Sequence, residues 1–124
     1  MKKQIVCKNA PAAIGPYSQA IAANGMLFVS GQLPIDPVTG DMNEDVKEQT
    51  RQALENVKAI VTEAGGSMDN IVKCSVYMSD LGDFGEMNEA YGKFFNDPAP
   101  ARVTFEVARL PKDAQVEIEA IVML

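Results

Sequence analysis

Apolar and polar positions recur along this chain with two periods, and the periods divide it into elements. From Val46 the apolar or small residues return at Thr50, Ala53, Leu54, Val57, Ile60, Val61 and Ala64, a 3.6-residue stripe closed by Gly65-Gly66. Asn43 precedes the stripe as an N-cap, with Glu44 and Asp45 where a helix N-terminus favours negative charge. The spacing predicts a long helix with one buried face. A second stripe of Phe84, Met87, Tyr91 and Phe94 or Phe95 predicts a helix from Asp83 to Phe95, stopped by Pro98 and Pro100.

Between the helices the period changes to two. Val72, Cys74, Val76 and Met78 fall on one face of an extended segment from Ile71 to Met78, and Lys73, Ser75 and Tyr77 on the other. Strands are also predicted at Met26 to Gly31, Val103 to Ala108 and Val116 to Met123, with shorter segments at Gln4 to Lys8 and Gln19 to Ala22. The order β-β-α-β-α-β-β indicates an α+β domain with one mixed sheet and both helices on one face. The opposite face carries Tyr77, Ile121 and Met123 among polar groups, which is too apolar to stand in water, so a homo-oligomer packed through it is expected. With 124 residues and no internal repeat or linker, residues 1–124 form a single domain.

Composition narrows the chemistry. The chain has no histidine, which removes His-dependent triads, His-ligated metals and the commonest general acid or base. Eleven basic against 17 acidic residues, a net charge of −6, argues against a nucleic-acid surface but leaves room for a small anion held by one arginine. Two distant cysteines, Cys7 and Cys74, suit neither a metal cluster nor a Cys-x-x-Cys pair, and no metal site is expected. No apolar run approaches the length of about 20 residues that spans a bilayer, so a cytoplasmic protein without a membrane partner is expected.

The last two predicted strands carry charge in opposite parity. If Arg102 to Val107 and Gln115 to Ala120 form a hairpin with their apolar residues facing together, Thr104 lies opposite Glu117 and Arg102 opposite Glu119. Arg102 and Glu117 are then diagonal neighbours on the face away from the helices. The same charges also suit an ordinary cross-strand ladder. Ser30-Gly31-Gln32 ends a strand with a glycine that permits close approach, Asn88 lies within the second helical stripe, and Tyr17 follows Gly15-Pro16. Each has a bland reading too: a turn, a loop cap and a loop anchor.

Taken together and in order, these segments resemble the Rid family of reactive intermediate deaminases, nearest its RidA subgroup of imine deaminases. The resemblance rests on Ala10-Pro-Ala-Ala-Ile-Gly-Pro-Tyr-Ser-Gln19, Ser30-Gly31-Gln32 with Asp36-Pro37 and Thr39-Gly40, Glu48-Gln49-Thr50 and Asn88-Glu89-Ala90-Tyr91. It continues through Pro100-Ala101-Arg102, Val107 to Asp113 and Glu117-Ile118-Glu119-Ala120, and so covers almost the whole chain. It implies a fold like bacterial chorismate mutase: a mixed sheet with two helices on one face, the sheets of a homotrimer forming a central barrel with ligand clefts between subunits. The implied activity is hydrolysis of 2-imino acids, such as 2-iminobutanoate and 2-iminopropanoate released by pyridoxal-phosphate dehydratases, to 2-oxo acids and ammonia, without a cofactor of its own. Arg102 and Glu117 would be catalytic, Arg102 holding the carboxylate and Glu117 managing water and protons. Tyr17, Ser30, Gly31, Asn88, Val103 and Thr104 would line the substrate site with them. The alternative is a non-catalytic regulatory protein that binds 2-oxo acids in the same cleft.

Overall fold

A computed structural model describes all of residues 1–124. Six strands and two helices follow in the order β1 (Lys3–Ile5), β2 (Ala20–Ala23), β3 (Met26–Gln32), α1 (Val46–Glu63), β4 (Ile71–Met78), α2 (Phe84–Gly92), β5 (Ala101–Glu106) and β6 (Val116–Met123). They build one sheet in the spatial order β1-β2-β3-β6-β4-β5, antiparallel throughout except for the parallel pair β4 and β5, which α2 connects. This is the α+β architecture expected from the periods, with both helices on one face. No helix is long and apolar enough to cross a membrane.

Parity explains the core. Leu27 and Val29 of β3, Val76 and Met78 of β4, and Val116, Ile118 and Val122 of β6 are buried, and they meet Leu54, Val57, Ile60 and Val61 of α1 and Met87 and Tyr91 of α2 in one cluster. Burying each such side chain stabilises the fold by about 1.5–3 kcal/mol relative to leaving it exposed. Of the three buried polar residues of α1, Asn56 and Gln49 fix loops and Thr50 satisfies its hydroxyl within the helix. Asn56 donates to the carbonyls of Leu33 and Ile35, both at 3.0 Å, Gln49 bridges the Asn43 carbonyl and the Gln115 N–H, and Thr50 donates back to the Val46 carbonyl.

Several boundaries differ from the sequence expectation. Helix α1 starts later, because the Asp45 carboxylate, not Asn43, accepts the Glu48 N–H; Asn43 instead accepts the N–H of Asp45. Helix α2 stops at Gly92, and Phe94 and Phe95 continue in tighter turns. Strand β1 ends at Ile5 because the Gln19 side chain takes over pairing: its amide oxygen accepts from Cys7 N–H at 2.7 Å and its nitrogen donates to the carbonyls of Cys7 and Pro11.

The predicted β5–β6 hairpin does not form. Strand β4 lies between them, pairing with β5 on one side and β6 on the other, so Cys74 is level with Arg102 and Tyr77 with Glu117. This register puts Arg102 and Thr104 on the helix side with Cys74 and Val76. Val103 and Phe105 share the open face with Ser75, Tyr77, Glu117 and Glu119. The alternation at β5 had been given the wrong face because the open face is itself apolar and the helix side at this edge is polar. Phe105 and Phe28 remain 55% and 44% exposed on that face, Phe105 on the edge strand β5 and Phe28 on β3.

Candidate active site

Arg102 stands on an edge strand, and its guanidinium folds against α2. Phe84, Asn88 and Tyr91 follow at four- and three-residue spacing, so they share one helix face. The guanidinium carbon lies 4.7 Å from the centroid of the Tyr91 ring and 5.5 Å from that of Phe84, and Nη1 donates to Asn88 Oδ1 at 2.8 Å. These partners are neutral. The three ion pairs of the molecule use Lys47, Arg51 and Arg109, leaving Arg102 without a carboxylate. Beneath it, burial pushes the thiol of Cys74 and the phenol of Tyr91 upward, which keeps both protonated.

Glu117 belongs to a second group on the open face. Strand β3 bulges against β6: Val29 pairs with Ala120 and Gln32 with Ile118, so Ser30 and Gly31 together face Glu119. The bulge brings Gly31 over the Glu117 carboxylate. A Cβ on Gly31 would lie 2.8 Å from Glu117 Oε2 and 2.9 Å from its Cδ, so the position accepts glycine alone without moving that carboxylate. Ser30 does not point a free hydroxyl into the site; it donates to the Ser18 carbonyl at 2.6 Å and thereby fixes the loop that carries Tyr17. Tyr17 itself is 52% exposed.

Burial first, and then the neighbouring negative charge of Glu119, raise the Glu117 carboxyl above the ordinary carboxylate range. Such a group exchanges protons nearer neutrality than a free glutamate does. Glu119 accepts a 2.6 Å hydrogen bond from the Tyr77 hydroxyl, which raises the Tyr77 phenol and holds Glu119 as the acceptor. A depression of about 210 Å³ adjoins this pair, lined by Phe28, Lys73, Ser75, Glu119 and Ile121.

The expected site residues therefore fall into two groups. Arg102, Asn88 and Thr104 gather on the helix side of β5; Glu117, Gly31, Ser30, Tyr17 and Val103 belong to the open face or its adjoining loop. Arg102 and Glu117 are not diagonal neighbours: two strand spacings of about 4.8 Å and about three residues of rise separate their backbones, and their side chains leave opposite faces. Sequence reading had taken Phe84 and Tyr91 as core stripe and overlooked them as a platform for Arg102. Their placement one turn to either side of Asn88 was the available signal.

Fold, bulge and edge arginine define a small α+β domain with one polar cluster on a sheet face and another on a helix-backed edge strand. The chain belongs to the family described as Endoribonuclease L-PSP, which includes the Rid proteins; that family's model matches residues 7–124. It is 55% identical to a RutC family protein of Pyrococcus horikoshii over 98% of this chain and 97% of that one. It is 54% identical to the 2-iminobutanoate/2-iminopropanoate deaminase of Salmonella typhimurium, again over 98% and 97%. The crystal structure of Escherichia coli TdcF with bound serine superposes with a TM-score of 0.95 at 48% identity, covering 98% of each chain.

Proposed function

We propose that this protein hydrolyses 2-imino acids to 2-oxo acids and ammonia, in sites that join Arg102 of one copy to Glu117 of another within a cytoplasmic homotrimer. The observation that carries the reading is Arg102: a half-buried guanidinium held by two rings and a neutral amide, with no carboxylate of its own chain. In a molecule with 17 acidic residues this is a preformed receptor for a carboxylate brought by a ligand. The deaminase name of the Salmonella relative, and the serine bound by TdcF, a carboxylate beside a nitrogen-bearing carbon, support the same substrate class.

The chemistry needs little more. With the carboxylate clamped, the C=N carbon is already electrophilic. Glu117 takes a proton from water as oxygen attacks that carbon, giving a tetrahedral carbinolamine. Glu117 returns that proton to nitrogen, then takes the hydroxyl proton as the carbonyl forms and the C–N bond breaks, and passes it to the departing ammonia, so that a protonated imine leaves its nitrogen as ammonium. One water is consumed and the carboxylate is regenerated. The raised Glu117 carboxyl suits both halves of this transfer. Gly31, Ser30, Tyr17, Asn88, Val103 and the Thr104 main chain line the cleft, the glycine leaving room for substrate beside the carboxylate.

A shared site follows from the divided arrangement of the groups. The two partners point from opposite faces of one sheet, whereas a neighbouring copy packed on the apolar open face, beside the free β5 edge, can supply what each copy lacks. The free thiols of Cys7 and Cys74 fit a reducing cytoplasm. RNA cleavage draws no support from a surface of net charge −6. The test is turnover of freshly generated 2-iminopropanoate by wild type and Arg102→Ala. Loss of nearly all kcat/KM in a folded, assembled variant is expected; wild-type turnover would remove the carboxylate clamp.

A further inference from the structure

Tyr91 is an unexpected residue for its position. Its hydroxyl is buried with no oxygen or nitrogen to bond and faces only the thiol of Cys74, a weak partner, so bonding by the phenol oxygen does little to explain the residue. Its ring, by contrast, is the nearer of the two rings against the guanidinium carbon of Arg102, and it is itself braced by Phe95 at 4.7 Å between centroids. Phe84 approaches the same carbon from two turns earlier on α2, and Asn88, between them, takes one Nη1 hydrogen. Guanidinium is planar and weakly hydrated, so it rests well on aromatic rings.

We propose that Tyr91, assisted by Phe84, is a positioning residue that holds the plane of Arg102 so that its Nε–Nη2 edge is presented to the substrate carboxylate. Asn88 occupies Nη1 and leaves that edge without any partner in the chain. The ring acts through Arg102 and touches no reacting atom. Because the carboxylate is bound alike in ground and transition states, loss of the platform weakens binding while the chemical step keeps its rate. This inference rests on the imino-acid reading for its activity readout, but binding of a 2-oxo acid probes it separately.

The experiment measures 2-oxobutanoate binding by calorimetry and 2-iminopropanoate kinetics on the intact protein for Tyr91→Phe, Tyr91→Leu and Phe84→Leu. Tyr91→Leu should weaken binding and raise KM roughly 3- to 30-fold with kcat held within about twofold, while Tyr91→Phe keeps wild-type values because the ring is retained. Wild-type KM in Tyr91→Leu, or an equal defect in Tyr91→Phe, would overturn the proposal. Should Tyr91→Leu fail to fold, Phe84→Leu carries the test, since that ring is 37% exposed: a roughly 2- to 5-fold rise in KM supports the platform and an unchanged KM overturns it. Wild-type binding without imine turnover, lost in Tyr91→Leu, would sink the deaminase reading and leave the platform standing. Turnover unaffected by Tyr91→Leu would do the reverse.

Discussion

Replacing Gly31 with alanine presses first on the Glu117 carboxylate, the group proposed to carry the proton transfer. The added Cβ would meet Glu117 at 2.8 Å from Oε2, 2.9 Å from Cδ and 3.2 Å from Cγ. Ordinary contact begins near 3.4 Å, so the carboxylate must retreat by about 0.6 Å. Gly31 is not in the left-handed region, hence the backbone accepts alanine. Pushing a glutamate off its rotamer costs about 0.5–1.5 kcal/mol. The lower entropy of an unfolded chain carrying alanine offsets about 0.4–1 kcal/mol of that, leaving a net change within about 1 kcal/mol. Catalysis is less forgiving, because a displacement approaching 1 Å can remove about 100-fold in rate. We expect kcat/KM on 2-iminopropanoate to fall roughly 10- to 100-fold, with a nearly unchanged urea midpoint. In a Glu117→Gln background the same change should add nothing, since both act on one group. Full activity in Gly31→Ala, or an additive loss in the double variant, would refute the reasoning.

Three other outcomes follow from the structure. Leu54→Ala, at a fully buried site of α1 remote from the candidate catalytic groups, should destabilise the fold by about 2–5 kcal/mol in chemical denaturation. The raised Glu117 carboxyl favours the folded state most at pH below its ordinary value of 4.5, and that contribution disappears as pH climbs past the folded value. Glu117→Gln should therefore flatten the dependence of Tm on pH and raise Tm at neutral pH relative to wild type, and an identical pH profile would contradict the shift. Ile121→Glu sets a charge on the open sheet face and should convert the proposed trimer to folded, inactive monomers by light scattering and circular dichroism; a trimer that survives the change would exclude that face as the interface.

The elements were readable where one face is plainly buried. Strand β6 coincides with its expected bounds, Val116–Met123, because Val116, Ile118, Ala120 and Val122 alternate without interruption, and α1 follows from a stripe on one side. The failure at β5 has a physical cause. Arg102, Thr104 and Glu106 lie on the helix side because the short helix α2 offers rings and an amide there instead of a closed apolar floor, while Val103 and Phe105 turn to an apolar open face. Parity sorts residues into two sets and does not say which set faces the helices. Nor does it say which strand intervenes: the β4 crossover, not the short loop before β6, chose the partner of β5. Of the candidate site, Glu117, Gly31, Arg102 and Asn88 could be named from motifs, but which of them stand together, and the separation of the two pairs onto opposite faces, needed the sheet order.

That separation is tested most directly by mixing two inactive proteins. Arg102→Ala retains Glu117, and Glu117→Gln retains Arg102; neither restores the other if both groups act within one chain. If each site takes Arg102 from one copy and Glu117 from the next, random mixing makes three-quarters of cyclic trimers hybrid with one repaired site in three, so about a quarter of wild-type turnover should return. Co-refolding the two variants in equal amounts and measuring 2-iminopropanoate hydrolysis reads this number. Recovery near a quarter is the expected result, and a mixture as inactive as its components, with hybrid trimers demonstrated by mass spectrometry, would contradict the shared site.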